Sequence, residues 1–201
     1  DRQIVLIDAM QALNAGPEAV ADLERALTEI LACFRAGRGF FLTDLVSRRI
    51  DRILIAATKA DHIHHESHDR LQAIVRRLTD RAVERARFSG AEVDALAMAA
   101  VRATREGTVR QGGEELPVII GTPLEGETIG PDRFDGETET AIFPGDLPQK
   151  PESALQGMES PIRFVRFRPP KLERTAEGAT LSLPHIRLDR ALQFLIGDQL
   201  A

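Results

Sequence analysis

The run Thr58-Lys59-Ala60-Asp61 carries the side chains that recognition of a planar base requires. It directly follows residues 53–57, an apolar segment typical of a buried parallel strand, and ligands of open α/β sheets bind beyond such strand ends. The Asp61 carboxylate can accept hydrogen bonds from the adjacent N1–H and 2-amino groups of guanine, a donor pair that adenine lacks. The methylene stem of Lys59 can cover the ring while its ammonium group stays hydrated. The pattern therefore predicts a guanine site.

A second interpretation assigns no ligand to these residues. Lys59 and Asp61 would then solvate a strand-to-helix turn, with Asp61 capping the helix that follows. Four residues alone would favour this interpretation. Their position between a buried strand and a long predicted helix favours base recognition instead.

Asp8 ends the apolar run of residues 4–7, an order that is typical of a Walker B strand. In that arrangement a carboxylate holds the Mg²⁺ ion that bridges the nucleotide phosphates, directly or through water. We therefore predict Asp8 on the metal side of the same site, with a helix or turn cap as the alternative. Asn14 and Gly16 lie in a predicted turn shortly after it, and they are candidates for a switch-like contact near the γ-phosphate.

Four of the five histidines lie within residues 62–68. His64 and His68 are four positions apart and would share a helix face, so a zinc site is one interpretation. No cysteine or carboxylate completes a known ligand spacing, and we favour a polar helix entry beside the base whose charge responds to pH. The sequence shows no set of residues typical of nucleophilic catalysis, and it identifies no catalytic residue.

The elements that would position these residues follow one another in an α/β order. Three apolar strands alternate with two amphipathic helices, at residues 4–7, 17–34, 53–57, 68–88 and 93–101. A shorter helix is predicted at residues 40–50. This order predicts a doubly wound α/β fold with a mostly parallel sheet.

The composition changes after residue 104. Residues 108–120 predict a β-hairpin with a Gly-Gly turn, and residues 121–160 predict a long, partly disordered loop rich in Gly, Pro, Glu and Thr. A strand at residues 162–167 and an amphipathic helix at residues 184–197 complete the chain. The predicted division is therefore an α/β domain of residues 1–104 and 160–201, interrupted by a hairpin and loop insertion at residues 105–159.

Composition adds few restrictions. The 201 residues carry a formal net charge of −5, which gives no electrostatic reason to expect nucleic acid or anionic lipid as a partner. No apolar run approaches the ~20 residues that a membrane span needs. The single cysteine, Cys33, lies among apolar residues and predicts a buried thiol in a reducing compartment. Because a core strand follows Asp1 almost at once, we also expect this chain to be part of a longer polypeptide.

Several longer segments resemble the YcjX-type, stress-associated family of bacterial P-loop NTPases. The matching segments keep the same order over nearly the whole chain, at residues 5–8, 11–18, 53–62, 143–148, 167–170 and 184–189. The resemblance implies a relative of the Ras-like and Gα-like GTPases, often labelled an ATPase, whose Gly-rich phosphate loop lies upstream. No G-x-x-x-x-G-K-[ST] motif occurs here, so this chain would be the C-terminal part of such an enzyme and inactive by itself.

The resemblance also assigns roles on the base side. Thr58, Lys59 and Asp61 would form the guanine-specificity motif, with Thr58 where Asn is commonest. Val101 would donate its backbone N–H to guanine O6, in a turn that lacks the usual bracing Ser.

On the phosphate side, the match is less complete. Asp8 stands at the start of an Asp-x-x-Gly switch motif, but Gln11 occupies the Gly position. The resemblance therefore implies that γ-phosphate sensing is either altered or carried by the turn of Asn14 and Gly16.

These predictions combine into one hypothesis: the protein binds and hydrolyses GTP with Mg²⁺, and this chain supplies base recognition and the metal-side carboxylate. One alternative is an ATPase of the same fold that binds ATP and ADP without using Asp61, and another is a nucleotide-independent interaction module. The expected partners are a guanine nucleotide, the upstream half of the polypeptide and a membrane-associated protein, and not nucleic acid. The expected location is the cytoplasm, peripheral to the inner membrane where the membrane partner is bound.

Overall fold

The computed structural model describes residues 1–33, 50–88, 90–158, 161–171 and 183–200. The strands and helices follow one another as β1 (Arg2–Ile7), α1 (Ala9–Ala15), α2 (Pro17–Ala32), β2 (Arg52–Ala57), α3 (His68–Phe88), β3 (Glu92–Ala97), β4 (Arg105–Gln111), β5 (Glu114–Gly121), β6 (Thr128–Ile129), β7 (Asp132–Arg133), β8 (Thr140–Ile142), α4 (Pro151–Gln156) and α5 (Leu188–Ile196). Short 3₁₀ turns lie at Ala60–His62, His65–Ser67 and Gly197–Gln199.

Strands β1, β2 and β3 form a parallel sheet in that order. Their last residues are in register, so all three strands end at one edge of the sheet: Ile7, Ala57 and Ala97. The continuous apolar sequence of β2 reflects burial on both faces, because Ile53 and Ile55 belong to one core cluster and Leu54 and Ala56 to another. The first two predicted strands are confirmed, and the third ends at Ala97 rather than at residue 101.

Helices α2 and α3 cover one face of this sheet. Leu71 and Ile74 of α3 are fully buried, and they share a core cluster with Leu27 of α2 and Ile55 of β2. Burying one such side chain stabilises the fold by about 1.5–3 kcal/mol. The apolar stripe of α3 therefore determines which side of the helix packs against the sheet. Both predicted helices are confirmed, and α3 has the predicted limits.

Helix α5 covers the opposite face, where Ala191 is buried with Leu54 of β2 and Leu96 of β3. The structure is therefore an α/β fold with helices on both faces of a parallel sheet. The two crossovers, through α2 and α3, lie on the same face. These three strands alone do not display the reversal of winding that a doubly wound sheet has.

The C-terminal segment begins as extended chain. Ile186 forms an isolated antiparallel bridge with Ala99, and the amide of Arg102 donates to the carbonyl oxygen of Pro184 at 2.7 Å. This pairing excludes a helix over the same residues. The predicted helix start at residue 184 is therefore wrong, and α5 begins at Leu188.

The end of α5 is attached to the opposite edge of the sheet. The guanidinium groups of Arg2 and Arg52 donate to the carbonyl oxygens of Leu195 and Phe194, each at 2.7 Å. Arg2 also pairs with Asp198 at 2.6 Å. Cations at this end satisfy the carbonyl groups that a helix leaves unpaired.

Helix α1 occupies the segment that the sequence predicts as a turn. Asp8 is its N-cap, and Met10 and Leu13 are buried in the core. The predicted turn is wrong for Asn14, which lies in α1, because a helix this short shows too few apolar positions to reveal its period. Gly16, at φ +102°, separates α1 from α2, and Pro17 begins α2 as predicted.

The predicted hairpin is confirmed. Strands β4 and β5 pair antiparallel up to Gln111 and Glu114. Gly112 and Gly113 connect them at φ +63° and +90°, the positive values that a type I′ turn requires at both positions.

The predicted loop at residues 121–160 is wrong in large part. Strand β8 adds a third strand to the hairpin sheet, β6 and β7 pair with each other, and α4 packs against α2 and α3. Leu147 and Ala154 are buried in the main core. Such widely spaced apolar residues are too few to predict packing from sequence. The division of the chain at residue 159 stays a prediction.

Three smaller expectations remain. Within residues 161–171, the predicted strand is reduced to an isolated bridge between Phe167 and Pro123. Cys33 is exposed, so the buried thiol is wrong: the residue follows α2 and lies outside its buried stripe. The helix predicted at residues 40–50 lies outside the described residues, apart from Ile50.

Candidate functional site

The loops that follow the three parallel strands are tied together at the carboxyl edge of the sheet. The amide of Thr58 donates to the carbonyl oxygen of Ile7 at 2.9 Å, and its hydroxyl donates to the same oxygen at 3.2 Å. The amide of Ala60 donates to the carbonyl oxygen of Met98 at 3.1 Å. The Thr58–Asp61 run is therefore fixed to both neighbouring strand ends.

Lys59 has a left-handed backbone, with φ 61° and ψ 31°. This conformation is uncommon for a residue with a side chain, and in folded proteins it concentrates at turns and binding sites. Its ammonium group donates to Oδ2 of Asp8 at 2.5 Å, while Oδ1 of Asp8 accepts from the amide of Gln11 at 3.4 Å. Asp8 thus joins the Lys59 loop to the start of α1.

Asp61 is 5% exposed, and its carboxylate bonds across the chain rather than to a helix. Oδ2 accepts from the amide of Ala103 at 2.9 Å, and the hydroxyl of Thr104 donates to the carbonyl oxygen of Asp61. The other carboxylate oxygen has no hydrogen-bond partner among the residues that the structure describes. The helix-cap alternative is wrong, because α3 begins at His68 and Asp61 caps neither it nor the intervening turn.

A pocket of about 320 Å³ opens at this edge, and all four predicted nucleotide-binding residues line it: Thr58, Lys59, Asp61 and Val101. Leu6 and Met98 are among the apolar residues of its wall, and Leu6 is 62% exposed. Pockets of a few hundred Å³ with apolar walls and a few polar groups are typical small-molecule sites.

A larger open cavity, of about 820 Å³, lies around α4 and contains none of the predicted site residues. Its lining includes Asp146, Lys150 and Ser153, which are spread over an open groove. We base the candidate site on the smaller pocket because it combines apolar walls with hydrogen-bonding groups at the carboxyl ends of the strands.

Val101 follows β3 in the third loop of the pocket. Its neighbours are held by the C-terminal segment, through the bridge from Ala99 to Ile186 and the bond from Arg102 to Pro184. Within the described chain, the backbone N–H of Val101 has no acceptor. The loop is thus fixed on both sides while this donor stays free.

Asn14 and Gly16 are not among the residues that line the pocket. Asn14 lies in α1, and its side-chain amide forms two hydrogen bonds with the backbone of Ile162: Nδ2 donates to the carbonyl oxygen at 2.7 Å, and Oδ1 accepts from the amide at 2.9 Å. This arrangement gives Asn14 a structural function, and its switch-like role stays a prediction.

His62 lines the pocket and is 8% exposed. Its ring meets the ring of Phe167 edge-on, with 5.4 Å between the centroids. Burial lowers its pKa, although the Asp61 carboxylate opposes this effect, so the ring is neutral near pH 7. Its Nδ1 is buried and has no hydrogen-bond partner among the described residues.

The other histidines have separate environments. Nε2 of His68 lies 2.8 Å from the carbonyl oxygen of Ala60, and burial lowers the pKa of His68. His64, His65 and Glu66 bring one candidate ligand atom each to within 4.8 Å of one another. Nδ1 of His65 already contacts the carboxylate of Glu106 at 2.5 Å. The zinc interpretation stays untested.

Some residues of the pocket could not have been found from sequence. Ala103 lines it and donates its backbone amide to Asp61, and Pro169 arrives from a distant segment. Thr104 lies outside the lining and donates its hydroxyl to the carbonyl oxygen of Asp61. Nothing in their residue types points to a ligand. The turn after the third strand was already a candidate through Val101, but that assignment did not extend to Ala103.

A parallel α/β sheet with such a pocket beyond its strand ends defines a class of α/β proteins that bind their ligands at that edge. Comparison with known proteins gives the family. The model of the YcjX-like family, DUF463, matches residues 1–200. The chain belongs to the YcjX-like family.

Two relatives are named Ras-like GTPase YcjX. The one from Escherichia coli (strain K12) is 37% identical over 200 residues, which is 100% of this chain and 40% of that protein. The one from Shewanella oneidensis is 32% identical over 200 residues, 100% of this chain and 39% of that protein. The chain thus spans about 40% of the length of these relatives.

No helix among the described residues is long and apolar enough to cross a membrane.

Proposed function

We propose that the complete protein binds and hydrolyses GTP and that this chain holds the guanine base. One observation carries the proposal: the residues predicted as base readers, from two separate parts of the sequence, line a single pocket. The names of the relatives, which call them Ras-like GTPases, agree with it.

In this proposal, Asp61 accepts from the N1–H and 2-amino groups of guanine. The unpartnered carboxylate oxygen is free to accept, and Oδ2 keeps a second lone pair beyond its bond with Ala103. The free N–H of Val101 donates to O6 of guanine. Lys59 covers the ring with its methylene groups, and Thr58 braces the loop through its two bonds to Ile7.

The phosphates of such a nucleotide are held by a G-x-x-x-x-G-K-[ST] loop, and that motif does not occur in this sequence. We propose that they bind a Gly-rich loop in the upstream half of the polypeptide, whose strands continue the sheet beyond β1 and make it doubly wound. In support, β1 is an edge strand of the described sheet, and Leu6 is exposed on it.

In our proposal the carboxylate of Asp8 serves Lys59 rather than the Mg²⁺ ion of the nucleotide. Oδ2 lies 2.5 Å from the ammonium group of Lys59, and this positive charge opposes a divalent cation at the same oxygen. The metal role of Asp8 stays a prediction, and we propose that the Mg²⁺ of the nucleotide is held by the upstream half.

Titration calorimetry of the complete protein tests the proposal, with GDP and ADP injected in the presence of Mg²⁺. We expect a GDP preference of at least tenfold, about 1.4 kcal/mol. In Asp61→Asn one acceptor becomes a donor, so preference should move from guanine towards xanthine. Asp94→Asn is the matched control, because Asp94 pairs with Arg76 and is not among the pocket residues. Release of phosphate from GTP then measures hydrolysis.

Other outcomes would lead to different functions. Equal or stronger binding of ADP would favour an ATPase of the same fold in which Asp61 serves only the loop. Binding of neither nucleotide would favour a nucleotide-independent interaction module. A membrane-associated partner, a role in stress and a cytoplasmic location belong to the same proposal, and they rest on the family resemblance alone.

A further inference from the structure

Asp8 and Lys59 form an ion pair between the ends of two parallel strands. They are 51 residues apart in sequence, and Nζ of Lys59 lies 2.5 Å from Oδ2 of Asp8. The side chain of Asp8 is 26% exposed and that of Lys59 is 42% exposed. Lys59 lines the candidate base pocket, whereas Asp8 does not.

The backbone on both sides of this pair is fixed. Ile7 and Ala57 are register partners, and the amide of Thr58 donates to the carbonyl oxygen of Ile7. Lys59 leaves this anchored position in a left-handed conformation. Its side chain therefore starts from a defined point, and the bond to Asp8 fixes its far end.

A lysine side chain has four rotatable bonds, and ordering it costs conformational entropy equivalent to up to about 2 kcal/mol. A stem that must lie along a ligand binds more tightly when another contact already orders it, because part of that cost has been met before binding. The pair with Asp8 provides such a contact.

We propose that Asp8 is a positioning residue of the base site: its carboxylate holds the Lys59 ammonium so that the lysine stem forms one wall of the pocket. This inference rests on the proposed function, since it deepens the account of the same pocket. It also gives the acidic residue after β1 a function that requires no metal.

The first test is GDP binding by the complete protein in EDTA, comparing the unaltered protein with Asp8→Asn. Asparagine caps helices as well as aspartate does, so the start of α1 is kept while the negative charge is removed. We expect GDP to bind about two- to fivefold more weakly, the range of an ion pair with this exposure. Asp8→Ser, which also caps, should give a similar loss and replaces Asp8→Asn if that variant folds poorly.

The second test determines whether Asp8 acts through Lys59. In a Lys59→Met background, Asp8→Asn should cause no further loss of affinity. Asp94→Asn, which removes a surface ion pair with Arg76 at 2.8 Å, should leave GDP affinity unchanged in both backgrounds. Thermal unfolding of each variant separates loss of binding from loss of fold.

Three results would overturn the inference while leaving the proposed function intact. One is undiminished GDP binding by Asp8→Asn. Another is a loss that occurs only when Mg²⁺ is present, which would identify Asp8 as a metal ligand. The third is an equal loss in the Lys59→Met background, which would make Asp8 a general structural residue. If the unaltered protein binds no guanine nucleotide, the proposed function fails and this inference fails with it.

Discussion

The carboxylate of Asp61 accepts a hydrogen bond from the backbone amide of Ala103 at 2.9 Å, across 42 residues of sequence. The same residue is the candidate acceptor for a base. Asp61 therefore connects the loop after β2 with the loop after β3, and it does so with a side chain that is almost fully buried.

This double function predicts different effects for two substitutions of Asp61. Asp61→Ala leaves the partly buried amide of Ala103 without its charged acceptor, and it should lower the free energy of unfolding by about 1–3 kcal/mol. Asp61→Asn keeps one acceptor oxygen and should cost less than Asp61→Ala. Chemical denaturation of both variants measures the difference. Equal stability of the two variants would show that the bond to Ala103 contributes nothing.

The lowered pKa values of His62 and His68 predict a pH dependence of stability. Burial disfavours the charged ring in the folded state, so the unfolded state binds more protons below about pH 6.5. The free energy of unfolding should therefore be highest above about pH 6.5, where both rings are neutral in the folded and unfolded states. It should fall as the pH decreases below that value. The midpoint of thermal unfolding between pH 7.5 and 5.5 measures this effect. In His62→Gln with His68→Gln the slope should flatten, and an unchanged slope would assign it to other groups.

Asn14 offers a direct comparison between a structural role and the predicted switch-like one. Asn14→Ala removes both bonds to the backbone of Ile162, and it should lower the free energy of unfolding by about 1–3 kcal/mol. Affinity for GDP and the rate of GTP hydrolysis should stay unchanged in the folded protein. A selective loss of hydrolysis, with normal stability, would instead support a contact with the γ-phosphate.

The end of β5 lies against the loop that holds Asp61. A Cβ atom at Gly121 would lie 2.8 Å from the ring of Phe167 and 3.2 Å from the carbonyl oxygen of Ala103. Gly121→Ala should therefore destabilise the protein by about 1–3 kcal/mol, as overpacking does. Gly112→Asn is the control, because its turn position at φ +63° has open space and tolerates asparagine. Equal melting temperatures for the two variants would contradict the close packing at Gly121.

The sequence predicted the parts of the molecule that are encoded locally. Strand β2, helix α3 and the Gly112-Gly113 hairpin each have a period or a turn that is complete within a short segment. The turn from Thr58 to Asp61 could be predicted for the same reason, because it directly follows the buried strand β2.

What escaped prediction depends on the path of the chain in space. The pair of Asp8 with Lys59 joins residues 51 positions apart, and the bond of Asp61 with Ala103 joins residues 42 positions apart. Sequence position alone does not distinguish a metal ligand from a cap or an ion-pair partner at Asp8, because all three occur at the end of a strand. Leu147 shows the same limit for packing, since a single apolar residue in a polar loop does not reveal which core it enters.

The C-terminal segment crosses the sheet from the pocket edge, where Pro184 meets Arg102, to the opposite edge, where Asp198 meets Arg2. One continuous piece of chain therefore borders both Val101 and the beginnings of the strands. Thermodynamic linkage makes any influence along this piece reciprocal. If a bound base stabilises the Val101 loop, it also stabilises the attachment of α5. A protein that binds α5 would then change the affinity for the base by the same factor by which the base changes the affinity for that protein.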